Sequence, residues 1–167
     1  SLGGYAAWKT SRSAVSMQAI RDATSWLEGY DKALFTSLNH GWLAEGLVVE
    51  GNWKQARRHA ARAIIRSRRH DRIGEAMAYR AMAVASAAGH NRRTADQYMA
   101  LAMHSALARG SPHEIAVCRM CEAGIRQARG ERQQAVELLD QAEATFDELA
   151  MSWHRNEAVR LRRSFQV

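Results

Sequence analysis

The stretch Gly51-Asn52-Trp53-Lys54-Gln55-Ala56-Arg57-Arg58-His59-Ala60-Ala61-Arg62-Ala63-Ile64 decides the fold. A glycine at the start permits the tight reversal that ends one helix. Asn52, with Gln55 three residues on, is a weak form of the capping box that opens the next. Trp53, Ala56, Ala60, Ala63 and Ile64 then recur at helical spacing along one face. Small residues on that face let an antiparallel neighbour approach closely. The device returns at Gly130 with Ala135, Leu139 and Ala142, and with one inserted residue at Gly89 with Ala95, Met99 and Ala102. These glycines stand 38 and 41 positions apart, so the unit is a helical hairpin of about forty residues.

Working outward, further breaks fall near Gly29, 69–71, Gly110 and Ser152. Ser111-Pro112-His113-Glu114 reads as an N-cap, a proline at the first helical position and a capping-box glutamate. Leu138, Leu139, Ala142, Phe146 and Leu149 form a second inner stripe, with Glu137, Asp140 and Asp147 opposite. The pattern predicts helices over 13–28, 33–50, 53–68, 73–88, 92–109, 113–129, 132–149 and 153–165. Residues 1–12 are a tail or a short helix, and 13–167 form one helical-repeat domain. Composition agrees: alanine occurs 31 times, proline once, and aromatics make up 7%, which favours helix over sheet. No run of 18 uncharged apolar residues exists, so no membrane-spanning helix is expected. Without a basic-then-apolar leader, the default address is the cytoplasm. A chain that starts at Ser1 is compatible with a piece of something larger.

Gly51-Asn52-Trp53 with Ala56, Ala60 and Ala63 resembles the tetratricopeptide repeat (TPR). Units of that family place Gly-Asn/Asp-aromatic at the turn and small, bulky and small residues along the second helix. The resemblance spans about 33–150, with intervals above the family's usual period of about 34. Ala44 and Ala123 fall where the family prefers a small residue on the first helix, and Met82 departs from that preference. The ending Phe146-Asp147-Glu148-Leu149-Ala150-Met151-Ser152-Trp153 is similar to repeat arrays at the C-terminal ends of large bacterial signalling regulators. The resemblance implies an all-α, TPR-like superhelix of about three antiparallel hairpins with flanking helices. It also implies a non-catalytic scaffold that binds a peptide or partner protein in a concave groove, with a homo-oligomer compatible.

Carrying over the family's groove positions gives Leu38, Glu45 and Val49 from the first unit. The second offers Tyr79, Arg80, Ala83 and Ser86, and the third Val117, Met120, Gly124 and Gln127. Tyr79 and Met120 suit anchors. Gly41 and Glu45 depart from the lysine-and-asparagine carboxylate clamp of chaperone-binding members. Trp153, Val159 and Leu161 are expected to cover the end of the core.

Charge supplies the second reading. The net is +7 with 21 arginines; residues 51–93 carry a net +9 and residues 131–150 a net −5. Arg58, Arg62, Arg66 and Arg69 step by four, four and three along one helix face, a spacing at which like charges mildly repel. Solvent, the acids of 131–150 or an anionic partner would offset that repulsion. Nucleic acid is the alternative partner, weakened because no aromatic interleaves with the arginines. Other constellations are poor. Cys118 and Cys121 have metal-like spacing but no second pair, and read as small packing residues. No two of the seven histidines stand three or four apart, so no helical zinc site emerges. Neither a catalytic set nor a cofactor motif is found, and no metal or cofactor is expected.

Overall fold

Five helix ends share one backbone device. Gly51, His90, Gly110, Gly130 and Ala150 all take left-handed φ, between 54° and 81°. Each donates its amide to the carbonyl three residues back, and the following amide reaches five residues back, at 2.8–3.2 Å. That pairing satisfies the orphan carbonyls of a helix terminus and reverses the chain in three residues.

His90 corrects the sequence reading. The left-handed residue of the second unit is His90, not Gly89, whose φ is −85°. Counted from it, Ala95, Met99 and Ala102 lie at the same offsets as Ala56, Ala60 and Ala63 from Gly51, and as Ala135, Leu139 and Ala142 from Gly130. The apparent insertion disappears, and the intervals become 39 and 40. All nine of these side chains are buried.

The structure, a computed structural model, describes residues 2–29, 35–68 and 72–165. The helices are α1 (Leu2–Ser11), α2 (Ala14–Gly29), α3 (Thr36–Val49), α4 (Trp53–Ser67), α5 (Glu75–Ala88), α6 (Arg92–Ala108), α7 (Pro112–Ala128), α8 (Arg132–Glu148) and α9 (Ser152–Ser164), with a 3₁₀ turn at Arg72–Gly74 before α5. Residues 1–12 therefore contain a helix, and no strand occurs among the described residues. The expected caps are in place: Asn52 Oδ1 accepts from the Gln55 amide, and Ser111 Oγ from the Glu114 amide, both at 3.3 Å.

The helices group into two compact units, Ser1–Tyr98 and Met99–Val167, divided within α6. In the first, α3, α4 and α5 pack on one another, α2 packs on α3, and α1 on α2. Alanine sets the close approach: Ala44, Ala60, Ala63, Ala78 and Ala81 form one cluster. Trp8, Met17, Ile20, Trp42, Leu43 and Leu47 belong to another. Gly74 marks the tightest crossing, because a Cβ there would sit 2.1 Å from the Ser37 carbonyl oxygen. Its amide donates to Ser37 Oγ at 3.1 Å, so only glycine fits.

In the second unit, α7 and α8 form a hairpin and α9 packs on α8. Leu139 and Phe146 are fully buried among Ala116, Ala123, Ala135, Ala142 and Ala158. Leu161 packs against this core and Phe165 closes it, while Trp153 and Val159 are half-buried. The stripe ends Trp53 and Leu149 remain 37% and 40% exposed.

Candidate partner-binding faces

Glu45 organises the side of α3 that α1 covers. Its carboxylate accepts from the Tyr5 hydroxyl at 2.6 Å and from Arg80 at 3.0 Å, with Lys9 Nζ 3.6 Å away. Burial alone would push the carboxyl up. The charges of Lys9 and Arg80 and the hydrogen bonds from Tyr5 and Arg80 outweigh it and hold the group at about 2. The Tyr5 ring stacks on Trp42 at 4.7 Å, and Trp8, 2% exposed, reaches the edge of Gly46, over which Met17 of α2 lies. Two expected groove residues, Glu45 and Arg80, thus meet each other, and α1 covers them. Sequence reasoning missed α1 as their cover. Its signal was Tyr5-x-x-Trp8-Lys9, three residues on one helical face. Of the remaining positions on α3, Leu38 packs against the core and Val49 is 58% exposed.

On α5, the half-buried Tyr79 stacks with Tyr98 at 6.3 Å. Ser86 and Ala83 are buried, and the Ser86 hydroxyl donates to the Met82 carbonyl at 2.7 Å. On α7, Val117 is buried and Met120 packs against the core of its unit. Gly124 lies beside Leu161. Gln127 Oε1 is buried with no hydrogen-bond partner among the described residues.

The arginine face of α4 is partly engaged. Arg58 is exposed, Arg62 and Arg66 are half-buried, and Arg69 lies outside the described residues. Arg62 stands 3.5 Å from Glu28 of α2, while Arg57 donates to the Ala85 carbonyl at 2.6 Å, capping the last turn of α5. Several acids of 131–150 have partners of their own. Glu131 pairs with Arg126, Asp147 with Arg155, and Asp140 and Glu143 with Arg162, all within the second unit.

Beside Arg62 runs a polar relay that the sequence spacing could not show. Glu28 Oε1 lies 3.1 Å from His40 Nε2, and His40 Nδ1 lies 3.1 Å from His59 Nδ1. Burial lowers the His40 pKa against the pull of Glu28; burial, His40 and Arg62 bring His59 down to about 4. Both rings are therefore neutral at pH 7, and one arrangement of protons satisfies the chain. His40 Nε2–H donates to Glu28, His59 Nδ1–H donates to His40 Nδ1, and His59 Nε2 keeps its lone pair. The relay borders a cleft of about 320 Å³ between α2 and α4, floored by Leu43 and Leu47. A second pair, His113 and His154, meets through Nε2 atoms 3.2 Å apart beside Phe146 and Trp153. Cys118 is buried and Cys121 half-buried.

Among the described residues, no group of three or more His, Cys, Asp and Glu side chains could hold a metal ion, and no helix is long and apolar enough to cross a membrane. No family model, curated protein or solved structure matches the chain.

Proposed function

We propose that this chain is a non-catalytic interaction module, a TPR-like set of helical hairpins that receives a helix or peptide of a protein partner on α3 and α5 of its first unit. The observation that carries this reading is the seat on α3, where Trp42, Gly46 and Glu45 already hold a helix through Tyr5, Trp8 and Lys9. An aromatic ledge beside a buried carboxylate fits an amphipathic helix that brings one aromatic and one basic group. Support for the TPR-like arrangement comes from the common register of small buried residues after Gly51, His90 and Gly130.

The test vacates the seat in the full chain with Tyr5→Ala and Trp8→Ala, then adds a labelled peptide of residues 2–11 and follows anisotropy. Saturable binding with a Kd of about 10–100 µM is expected, weakened at least tenfold by Glu45→Ala. No saturable binding at millimolar concentration, with helicity intact by circular dichroism, overturns the reading.

A further inference from the structure

We propose that α1 exchanges between two copies of this chain, giving a two-fold dimer in which Tyr5, Trp8 and Lys9 of each copy seat on Trp42, Gly46 and Glu45 of the other. The inference rests on α3 as a helix-receiving face and names a second copy as its occupant.

The hinge points to exchange. Only Arg12 and Ser13 separate α1 from α2, and Arg12 is held at φ +53°, a conformation costly for any residue with a Cβ. No glycine or proline lies within 5–28. Turning Arg12 and Ser13 to right-handed values would join 2–29 into one continuous helix and carry α1 away from its own α3. What now holds the break is the packing of α1 along α2, together with two local contacts: the Ser13 hydroxyl accepts from the Ser16 amide at 3.2 Å, and Arg12 lies over the Trp8 ring at 4.2 Å.

The attachments point the same way. The contacts between α1 and α3 described above run through side chains: the Tyr5–Glu45 hydrogen bond, the Lys9–Glu45 ion pair and the Tyr5–Trp42 stack. A second copy's α1 reproduces each of them. An emptied seat would bare Trp42, which is 4% exposed, and Trp8, which is 2% exposed, so the open form is driven to refill. An identical α1 is present at the concentration of the chain itself. Reciprocal exchange fills both seats and closes the assembly, and each copy sheds one strained hinge.

A pair of cysteines reads the exchange without touching Glu45. A Cβ on Gly4 lies 3.2 Å from the Ala19 Cβ, close to the separation a disulfide spans. Gly4→Cys and Ala19→Cys are made in separate full-length chains in which Cys118 and Cys121 are alanine, one chain carrying a mass tag. The two are mixed in urea, refolded together and oxidised. A tagged–untagged disulfide is expected in quantity, together with a concentration-dependent dimer of the unmodified chain by light scattering. Arg12→Gly, which tolerates the left-handed hinge, should lower the dimerisation constant by about tenfold per hinge. Arg12→Ala with Ser13→Ala should raise it. A hetero-disulfide no more abundant than with a cysteine at exposed Ala144, and a monomer at every concentration, overturn the proposal. If the free 2–11 peptide still binds in that case, the receiving face stands and only the exchange fails.

Discussion

The Tyr5 hydroxyl donates to the Glu45 carboxylate across 2.6 Å, tying the first helix of the chain to the third. Tyr5→Phe removes this bond while keeping the ring on Trp42, and should cost about 1 kcal/mol. Glu45→Gln also removes the charge facing Lys9 and Arg80, and should cost about 2–3 kcal/mol. Both are read as urea midpoints. The sign with pH follows from the carboxyl, which is held at about 2 against an ordinary 4.5. Between these values the unfolded chain binds a proton that the folded chain does not. The contribution is complete above pH 4.5 and is lost as pH falls toward 2. Glu45→Gln should flatten that limb of the stability profile.

His90 and Gly130 occupy equivalent left-handed positions, one with a Cβ and one without. His90→Gly should stabilise the chain by about 1 kcal/mol, and Gly130→Ala should destabilise it by about the same amount. An unchanged denaturant slope would confirm that only the turn is affected. If His90→Gly were destabilising, the imidazole would be making contacts that outweigh backbone strain.

The hairpin register was legible in the sequence because its cause is local. A left-handed helix end and small residues at fixed offsets are both chain-neighbour properties, and Ala56, Ala60, Ala135 and Ala142 are buried as their spacing predicts. Gly89 misled because a glycine next to the true turn residue invites the wrong count. Candidate site residues fared differently. Glu45 and Arg80 lie 35 positions apart and Tyr5 another 40 away from Glu45, so no periodicity announces their meeting. The relay of Glu28, His40 and His59 is built across three helices, and a search for histidines three or four apart inspects only one helix at a time.

Ala60 tests whether tiny side chains set the helix separation. It has no exposed surface and lies in the alanine cluster of α3, α4 and α5. Ala60→Leu should cost about 1–3 kcal/mol by overpacking, or more where α3 and α5 cannot part. Ala61→Leu, one position on and only half-buried, should cost under 1 kcal/mol. Equal tolerance at the two sites in thermal melts would show that the alanines are not what governs the spacing.

The histidine relay makes a prediction with the opposite partner chemistry to Glu45. Here the proton is the intruder: His59 titrates at about 4 and His40 is also lowered from 6.5. A further proton on the pair would face Arg62, Arg66 and Arg21, with Glu28 as the opposing charge. Because the unfolded histidines take up protons near 6.5 and the folded ones do not, stability falls as pH drops from about 6.5 toward 4. The loss from His59 should be about 1–2 kcal/mol once solvent screening is allowed for. His59→Gln should remove that part of the pH slope. Nitrogen chemical shifts give the independent check, since at pH 7 His59 should carry its proton on Nδ1 and His40 on Nε2. A His59 ring that titrates near 6.5 would mean that the Glu28–His40–His59 chain does not hold in solution, whatever its contribution to stability.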